Sequence, residues 1–424
     1  MTSRRLGTIQ DVVDAHLCTG CGACAYLEPD ALRMADVLDV GRRPLPIVGI
    51  NSTPTGSPSG RVTGAAVAAC PGATLGHSKE ALDGAPFGGE WGPVLALYEC
   101  WSTDPAVRHR GSSGGVVSAL AAHAVTSGAA VGALQVQAKA DAPLENETVF
   151  NHTYDDIVGA AGSRYSPANP CERLDLVEGA DGPGVFVGKP CDVAATARAA
   201  SLRPGLGRKL ALTIGIFCAG TPSTRGTEEV IHRLGTETKD VEKLDYRGEG
   251  WPGRFRIRIK GGDQRSFSYE ESWGETLQKH RQWRCMICPD HTGEFADLSV
   301  GDPWYRKLLE GEPGRSLVVV RTPTGQAALE AALRDGAVEG HPIPLERLPQ
   351  SQPNLSTTRG AVWARVLTMR LAGLRAPDYS GMPSFKLWLK LKTRAKVLSV
   401  GGTLKRIKRR GLRQPESGQY REVR

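Results

Sequence analysis

Over roughly the first eighty residues the apolar positions follow no sustained period, and NSTPTGSPSG (51–60) has nothing to pack, so it reads as loop. From about Val94 the texture changes. VLALYECW (94–101) and AVGALQVQ (130–137) predict strands, with a helix over Val116–Thr126 between them. Two shorter apolar runs, GVFVG (184–188) and LALTIGIF (210–217), predict further strands, followed by helices beginning near Asp192 and Pro222. This alternation predicts an α/β body with a largely parallel sheet. Beyond Val241 the period becomes two: RFRIRIK (254–260) and RSFSY (265–269) predict a hairpin with one face in water. A helix near 270–283, a strand over 316–321, a helix over Thr324–Arg334 and another near 360–373 complete the expected order. No repeat of solenoid period is visible.

At 424 residues the chain has room for two or three domains, and 40% hydrophobic with 23% charged residues is ordinary for a globular protein. The net charge of +8 is unevenly placed. Residues 384–424 hold thirteen Lys and Arg against Glu416 and Glu422, which leaves 40 basic and 43 acidic residues elsewhere. A nearly neutral body therefore carries a basic tail. Within it, FKLWLKLKTRAKVLSVGGTLKRIKRR (385–410) mixes Leu, Trp and Val with cations. One reading is attachment to an anionic membrane surface or an acidic partner; the other is a solvated extension. No recognition motif points to specific nucleic acid. The first residues lack a signal-peptide core, and no run approaches the roughly 18 apolar residues of a membrane span. A cytoplasmic location is expected, with the tail allowing peripheral contact with a membrane.

Ten cysteines in such a chain argue for metal or redox chemistry rather than structural disulfides. Cys18, Cys21 and Cys24 form C-x-x-C-x-x-C, in which Gly20 and Gly22 let the backbone curl so that three thiolates face one cluster. Ferredoxin-type clusters take a fourth ligand from a remote Cys-Pro, and Cys70-Pro71 fits. A zinc site would more often pair two C-x-x-C knuckles. A second set joins Cys285 and Cys288 with Cys191 and Cys218, both at the carboxyl ends of predicted strands, where α/β proteins gather their sites. A lone C-x-x-C could also bind zinc or form a redox disulfide. Two 4Fe–4S clusters are the expectation, with Cys100 and Cys171 left as plain buried thiols.

RHRGSSGGVVSAL (108–120) sets glycines and hydroxyls at the start of a helix, with Arg108 and Arg110 just before. This could be a phosphate seat or only a tight turn. SSGGVVSAL, GSRYSP, GVFVGKPCD, GIFCAG, YRGEGWPG and RCMICPDHTGEFADLSVGDPW occur in an order that resembles the coenzyme F420 hydrogenase/dehydrogenase beta-subunit family, which includes 7-hydroxymethyl chlorophyll a reductase. The likeness covers roughly residues 10–322.

The resemblance implies a flavin, usually FAD and less often FMN, beside an iron–sulfur cluster. Ser112, Ser113, Gly114 and Gly115 would line the flavin, with Ser163 and Tyr165 nearby and Lys189 bringing positive charge. Arg247, Trp251, Asp302 and Trp304 would shape the pocket or serve as structural turn residues. No general acid is named: His280, near Cys285, could donate a proton, but a lone helical histidine is more often a bystander. The implied protein is an oxidoreductase that passes electrons between clusters, flavin and coenzyme F420, with ferredoxin or another redox protein as partner. The alternatives are a ferredoxin-dependent reductase of a lipid, sugar or pyrrole-type small organic substrate, and a non-catalytic electron-transfer subunit of a larger complex. The expected parts are a ferredoxin-like module over 1–85, an α/β flavin-binding body with α+β elements over 86–350, and a helical basic extension over 351–424.

Overall fold

The computed structural model describes residues 5–47, 64–83, 88–306, 311–382, 384–418 and 420–421; the loop expected at 51–60 lies outside them. Its centre is one eight-stranded sheet. The strands in chain order are β1 (Ala96–Ser102), β2 (Gly132–Ala138), β3 (Asn146–Asn151), β4 (Gly184–Gly188), β5 (Leu210–Ile216), β6 (Leu298–Gly301), β7 (Ser316–Val320) and β8 (Val338–Ile343). In space they run β8-β1-β7-β6-β5-β4-β2-β3.

The expected parallel sheet holds only at the centre, where β2, β4, β5 and β6 run parallel. Both flanks are antiparallel. Between β2 and β3 lie residues 139–145, too few for the dozen or so that a crossover needs, so the chain turns straight back.

Helix α1 (Val116–Thr126) packs on one sheet face: Val116 and Leu120 share a core with Leu212, Ile214, Val318 and Val320. Helix α2 (Pro190–Leu202) lies on the other face, starting at a proline whose fixed φ suits the first helical position. Leu134, Phe186 and Val193 there share a core with Cys21, Ala23 and Tyr26 of the N-terminal segment. The tripod of cysteines is thus bolted to the sheet by apolar burial.

Beyond β5, α3 (Thr224–Arg233) precedes a small antiparallel sheet of Val241–Asp245, Arg254–Ile259 and Gln264–Ser268. Phe255 and Ile257 are fully buried in it, and Arg254 and Arg258 are exposed, as the alternating pattern requires. The single helix expected near 270–283 is broken into a π-helical segment (Glu270–Gly274), a 3-10 turn (Leu277–His280) and a short helix (Trp283–Met286). Polar side chains competing for backbone groups explain this. Ser272 Oγ donates to the Ser268 carbonyl at 2.8 Å, and Ser268 N–H donates to Glu271 Oε2 at 2.8 Å.

Helix α4 (Pro323–Arg334) precedes β8, and three helices follow: α5 (Pro353–Leu371), α6 (Ser384–Leu389) and α7 (Thr393–Arg409). Helices α6 and α7 both pack on α5. Ile407 and Leu412 then enter a core with Val12, Leu17, Cys18, Trp283 and Met369. Beyond them, Tyr420–Arg421 pairs antiparallel with Leu32–Val37, which forms an N-terminal hairpin with Gly41–Pro46. Among the described residues, no helix is long and apolar enough to cross a membrane.

Candidate functional site

The carboxyl ends of β4, β5 and β6 open on a cavity of about 290 Å³, closed from the other side by the glycine-rich turn before α1. Gly115 has φ +72°, and a Cβ there would sit 2.7 Å from the Val107 carbonyl, so glycine is required for this turn. Ser112, Ser113 and Gly115 line the cavity, as do Ser163, Tyr165 and Lys189. Gly114 does not: its N–H donates at 2.9 Å to Ser316 Oγ on β7, and Ser113 Oγ lies 2.6 Å from the same hydroxyl, so Ser113 and Ser316 form the wall there in its place. The Ser163 N–H donates to Ser112 Oγ at 2.8 Å, which joins the two loops of the wall. Arg108 and Arg110 bond the Gly314 and Gly159 carbonyls at 2.7 and 2.6 Å, and neither lines the cavity.

The opposite wall is aromatic. Arg247 grips Asp302 through two bonds of 2.8 Å, and Trp251 Nε1 donates to Asp302 Oδ1 at 2.9 Å. The Arg247 guanidinium lies 5.0 Å from the Tyr269 ring centroid and 5.7 Å from that of Trp304. A bidentate pair clamped against two rings is rigid, and Arg247, Asp302, Tyr269 and Trp304 all line the cavity. Burial opposes its charge, yet Asp302 holds the Arg247 pKa above its ordinary value.

Sequence reasoning missed His291, which also lines the cavity. Its Nδ1 lies 2.8 Å from the Cys218 carbonyl, so the neutral ring donates there and turns Nε2 into an acceptor. Among the described residues Nε2 is buried without a hydrogen-bond partner, and burial pushes the pKa down to about 4. The signal was the PDHTGEF segment, read as a family marker rather than for its chemistry. Asp290 Oδ1 accepts from the N–H groups of Thr292 and Gly293 at 2.9 and 2.8 Å, which fixes the turn that carries His291. His280 instead pairs with Glu229 at 2.8 Å and does not line the cavity.

Cys218 belongs both to the cavity wall and to the second thiol set. It and Cys285 face each other electrostatically, with Cys191 and Cys288 also within reach. The Gly220 N–H donates to Cys218 Sγ at 3.3 Å and the Thr221 N–H to Cys285 Sγ at 3.4 Å. Lys189 Nζ, 2.6 Å from Asp192 Oδ2, lies beside Cys191 and Cys218; although burial opposes its charge, the Asp192 carboxylate above all holds its pKa up.

The first set, Cys18, Cys21, Cys24 and Cys70, lines a small void of its own. Backbone N–H groups of Gly20, Ala23, Ala25, Gly72 and Ala73 bond these sulfurs. Burial pushes Cys18 up to about 11, and Cys70 and Cys218 each up to about 12. Buried thiols with amide donors ionise when a cationic centre arrives. Among the described residues, no three Cys, His, Asp or Glu converge closely enough for one metal ion. Thiols spread round a void fit a multi-iron cluster better than zinc, whose thiolates meet at about 2.3 Å from one point.

Cys100 is a core residue on β1, fully buried beside Gly340 of β8. Cys171, expected as a bystander, is in contact with the first set: its thiol hydrogen-bonds Cys21, and that bond brings the Cys21 pKa down against the effect of burial. The 150-residue separation along the chain hid this contact.

Comparison with known proteins agrees with this architecture. Residues 97–174 match the family model of the coenzyme F420 hydrogenase/dehydrogenase beta subunit N-terminal region, and 184–345 that of its C terminus. The coenzyme F420 hydrogenase subunit beta of Methanothermobacter thermautotrophicus is 28% identical over 260 residues, 59% of this chain and 86% of that one. An F420-dependent formate dehydrogenase 1 subunit beta of Methanococcus maripaludis is 24% identical over 246 residues, covering 57% and 60%. A chain of the F420-reducing NiFe hydrogenase complex from Methanosarcina barkeri shares the fold, with TM-score 0.50 and 23% identity over 65% of this chain and 93% of that one. The chain thus belongs to the coenzyme F420 hydrogenase/dehydrogenase beta-subunit family.

Proposed function

We propose that this protein is an iron–sulfur flavoprotein oxidoreductase that exchanges a hydride with coenzyme F420 and single electrons with a ferredoxin or similar redox protein. One observation carries the reading: Cys218 is at once a wall of the cavity and a member of a four-thiol set. A flavin bound in that cavity, FAD in preference to FMN, supplies the conversion between two-electron hydride and one-electron cluster chemistry. The relatives' names add F420, which recurs in a hydrogenase and a formate dehydrogenase.

The residues divide the work. The turn Gly111–Gly115 brings Ser112, Ser113 and Gly115 to the cavity at the N-terminus of the eleven-residue α1, where the helix dipole favours a phosphate. Lys189, steadied by Asp192, brings positive charge to the edge of the cavity nearest Cys191 and Cys218. The Arg247–Asp302 clamp holds Tyr269 and Trp304 as a flat apolar wall that keeps water out. His291 presents Nε2 as a neutral acceptor beside Cys218. Cys191, Cys218, Cys285 and Cys288 hold the inner 4Fe–4S cluster, and Cys18, Cys21, Cys24 and Cys70 the outer one, as a ferredoxin-like entry point. Anaerobically purified protein should show flavin bands on a broad iron–sulfur shoulder; a colourless, zinc-bearing protein would reject the proposal.

A further inference from the structure

Helix α7 is folded inside out by the standard of a soluble protein. A surface helix normally turns its apolar stripe to the core. Here Ser399, Thr403 and Ile407, spaced by four, face inward, and Val397, Leu398, Val400 and Leu404 are exposed. The inward hydroxyls are satisfied within the helix: Ser399 Oγ donates to the Lys396 carbonyl and Thr403 Oγ1 donates to the Ser399 carbonyl at 2.7 Å. The orientation is fixed at both ends. At the start, Lys396 lies over the Trp388 ring, itself packed on Trp363 at 4.7 Å. At the far end Ile407 and Leu412 are buried, and Glu416 beyond them is ion-paired with Arg43.

The neighbouring elements continue the pattern. Phe385 and Leu389 of α6 are exposed, as is Leu371 at the end of α5, which is 81% accessible. Of the thirteen exposed large apolar side chains among the described residues, eight lie within 367–404. Charge is as one-sided. From Arg347 to Pro415 there are sixteen Lys and Arg and one acid, Asp378. On α7 the exposed apolar positions alternate with Arg394, Lys405, Lys408 and Arg409, also exposed.

We propose that this face, formed by α6, α7 and the end of α5, docks the protein on an anionic phospholipid surface. Exposed Leu, Val and Phe interleaved with long cations suit the bilayer interface, where apolar tips enter the acyl boundary and ammonium and guanidinium groups remain at the phosphates. A second copy of this chain would bring one cationic face against another. Helix α5 has nineteen residues and so spans about 28 Å. Its start, at Gln352 and Leu355, lines the cavity, and its end carries Leu371 on the docking face. The membrane is therefore touched about one helix length away from the cavity.

The test is cosedimentation of the full-length protein with phosphatidylcholine vesicles, with and without phosphatidylglycerol. Wild type should bind the anionic vesicles, lose binding at high salt, and ignore pure phosphatidylcholine. Val397→Glu with Leu404→Glu, and separately Lys405→Gln with Lys408→Gln, should each weaken binding by on the order of tenfold or more. Both pairs are exposed, so the cofactor absorption spectrum should be unchanged. No binding by wild type, or wild-type-level binding by either variant pair, would overturn the proposal. A concentration-dependent dimer that the same variants abolish, without vesicle binding, would reassign the face to self-association.

Discussion

Arg284 Nη2 donates to the Pro71 carbonyl at 2.8 Å, which puts a buried guanidinium between the two thiol sets. Pro71 follows Cys70 of the first set, and the same guanidinium bonds Cys288 of the second. Burial disfavours its charge, yet Tyr379, Cys288 and Cys191 hold its pKa above the ordinary value. Tyr379 beneath it lies within electrostatic reach of Cys288, Cys285 and Cys70. The sets are therefore neighbours that share one cation.

A fixed positive charge favours the reduced form of a nearby cluster. Arg284→Met should lower the midpoint potential of both clusters by on the order of 60 mV, tenfold in a one-electron equilibrium. Arg284→Lys should restore part of it. An EPR-monitored redox titration reads the shift, and one confined to a single cluster would contradict the shared position.

Each thiol set should lose its iron independently. Cys70→Ser and Cys288→Ser should each remove about half of the iron, from about eight atoms per chain to about four. The double variant should remove nearly all of it. Iron assay with visible absorption checks this, and unchanged iron in either single variant would exclude that cysteine as a ligand. Cys171→Ala should keep full iron, because Cys171 bonds Cys21, the Asp192 carbonyl and Thr196 and stands outside both ligand sets, and should shift the outer cluster's potential downward.

Breaking the Arg247–Asp302 clamp leaves a buried charge unpaired. Arg247→Met should cost about 3 kcal/mol or more in urea unfolding. It should also raise KM for reduced F420 more than it lowers kcat, because it releases the aromatic wall rather than a reacting group. Replacement of both partners, Arg247→Met with Asp302→Leu, should recover much of the stability.

Buried Glu294 is held down to about 2 from 4.5 by Arg359 and His77, against the opposing effect of burial. A carboxylate depressed in the folded state stabilises above its unfolded pKa, and that stability is lost as pH falls from about 4.5 to 2. The loss is about 3 kcal/mol. Denaturation curves across that window should steepen relative to Glu294→Gln, which lacks the titrating group. Parallel curves would show that the ion pair contributes nothing.

How much of this was legible depended on the range of the interaction. The strands at 184–188 and 210–216 announced themselves as apolar runs, and C-x-x-C-x-x-C announced a tripod by spacing alone. Asn146–Asn151 and Val338–Ile343 were silent, because an edge strand such as NETVFN or VEGHPI buries too little to show a period. The broken helix at 270–286 misled because its apolar and polar positions suit a helix, while Ser268, Ser272 and Glu271 bond locally instead. In the site, Lys189, Ser163 and Tyr165 were reached by resemblance. His291, Cys171 and Arg284 were not, because each acts through a partner distant in sequence: Cys218, Cys21 and Pro71. The basic tail was legible as charge, but its return through Leu412 and Glu416 to the first thiol set was not.

Anaerobic stopped-flow mixing of the oxidised protein with reduced coenzyme F420 tests the proposed electron path most directly. The flavin absorption should bleach first and the iron–sulfur shoulder should follow, with a reduced-cluster EPR signal in samples frozen later. In Cys288→Ser the first phase should persist and the second should be lost. Failure of reduced F420 to bleach a flavin that is demonstrably bound would contradict the proposed hydride exchange.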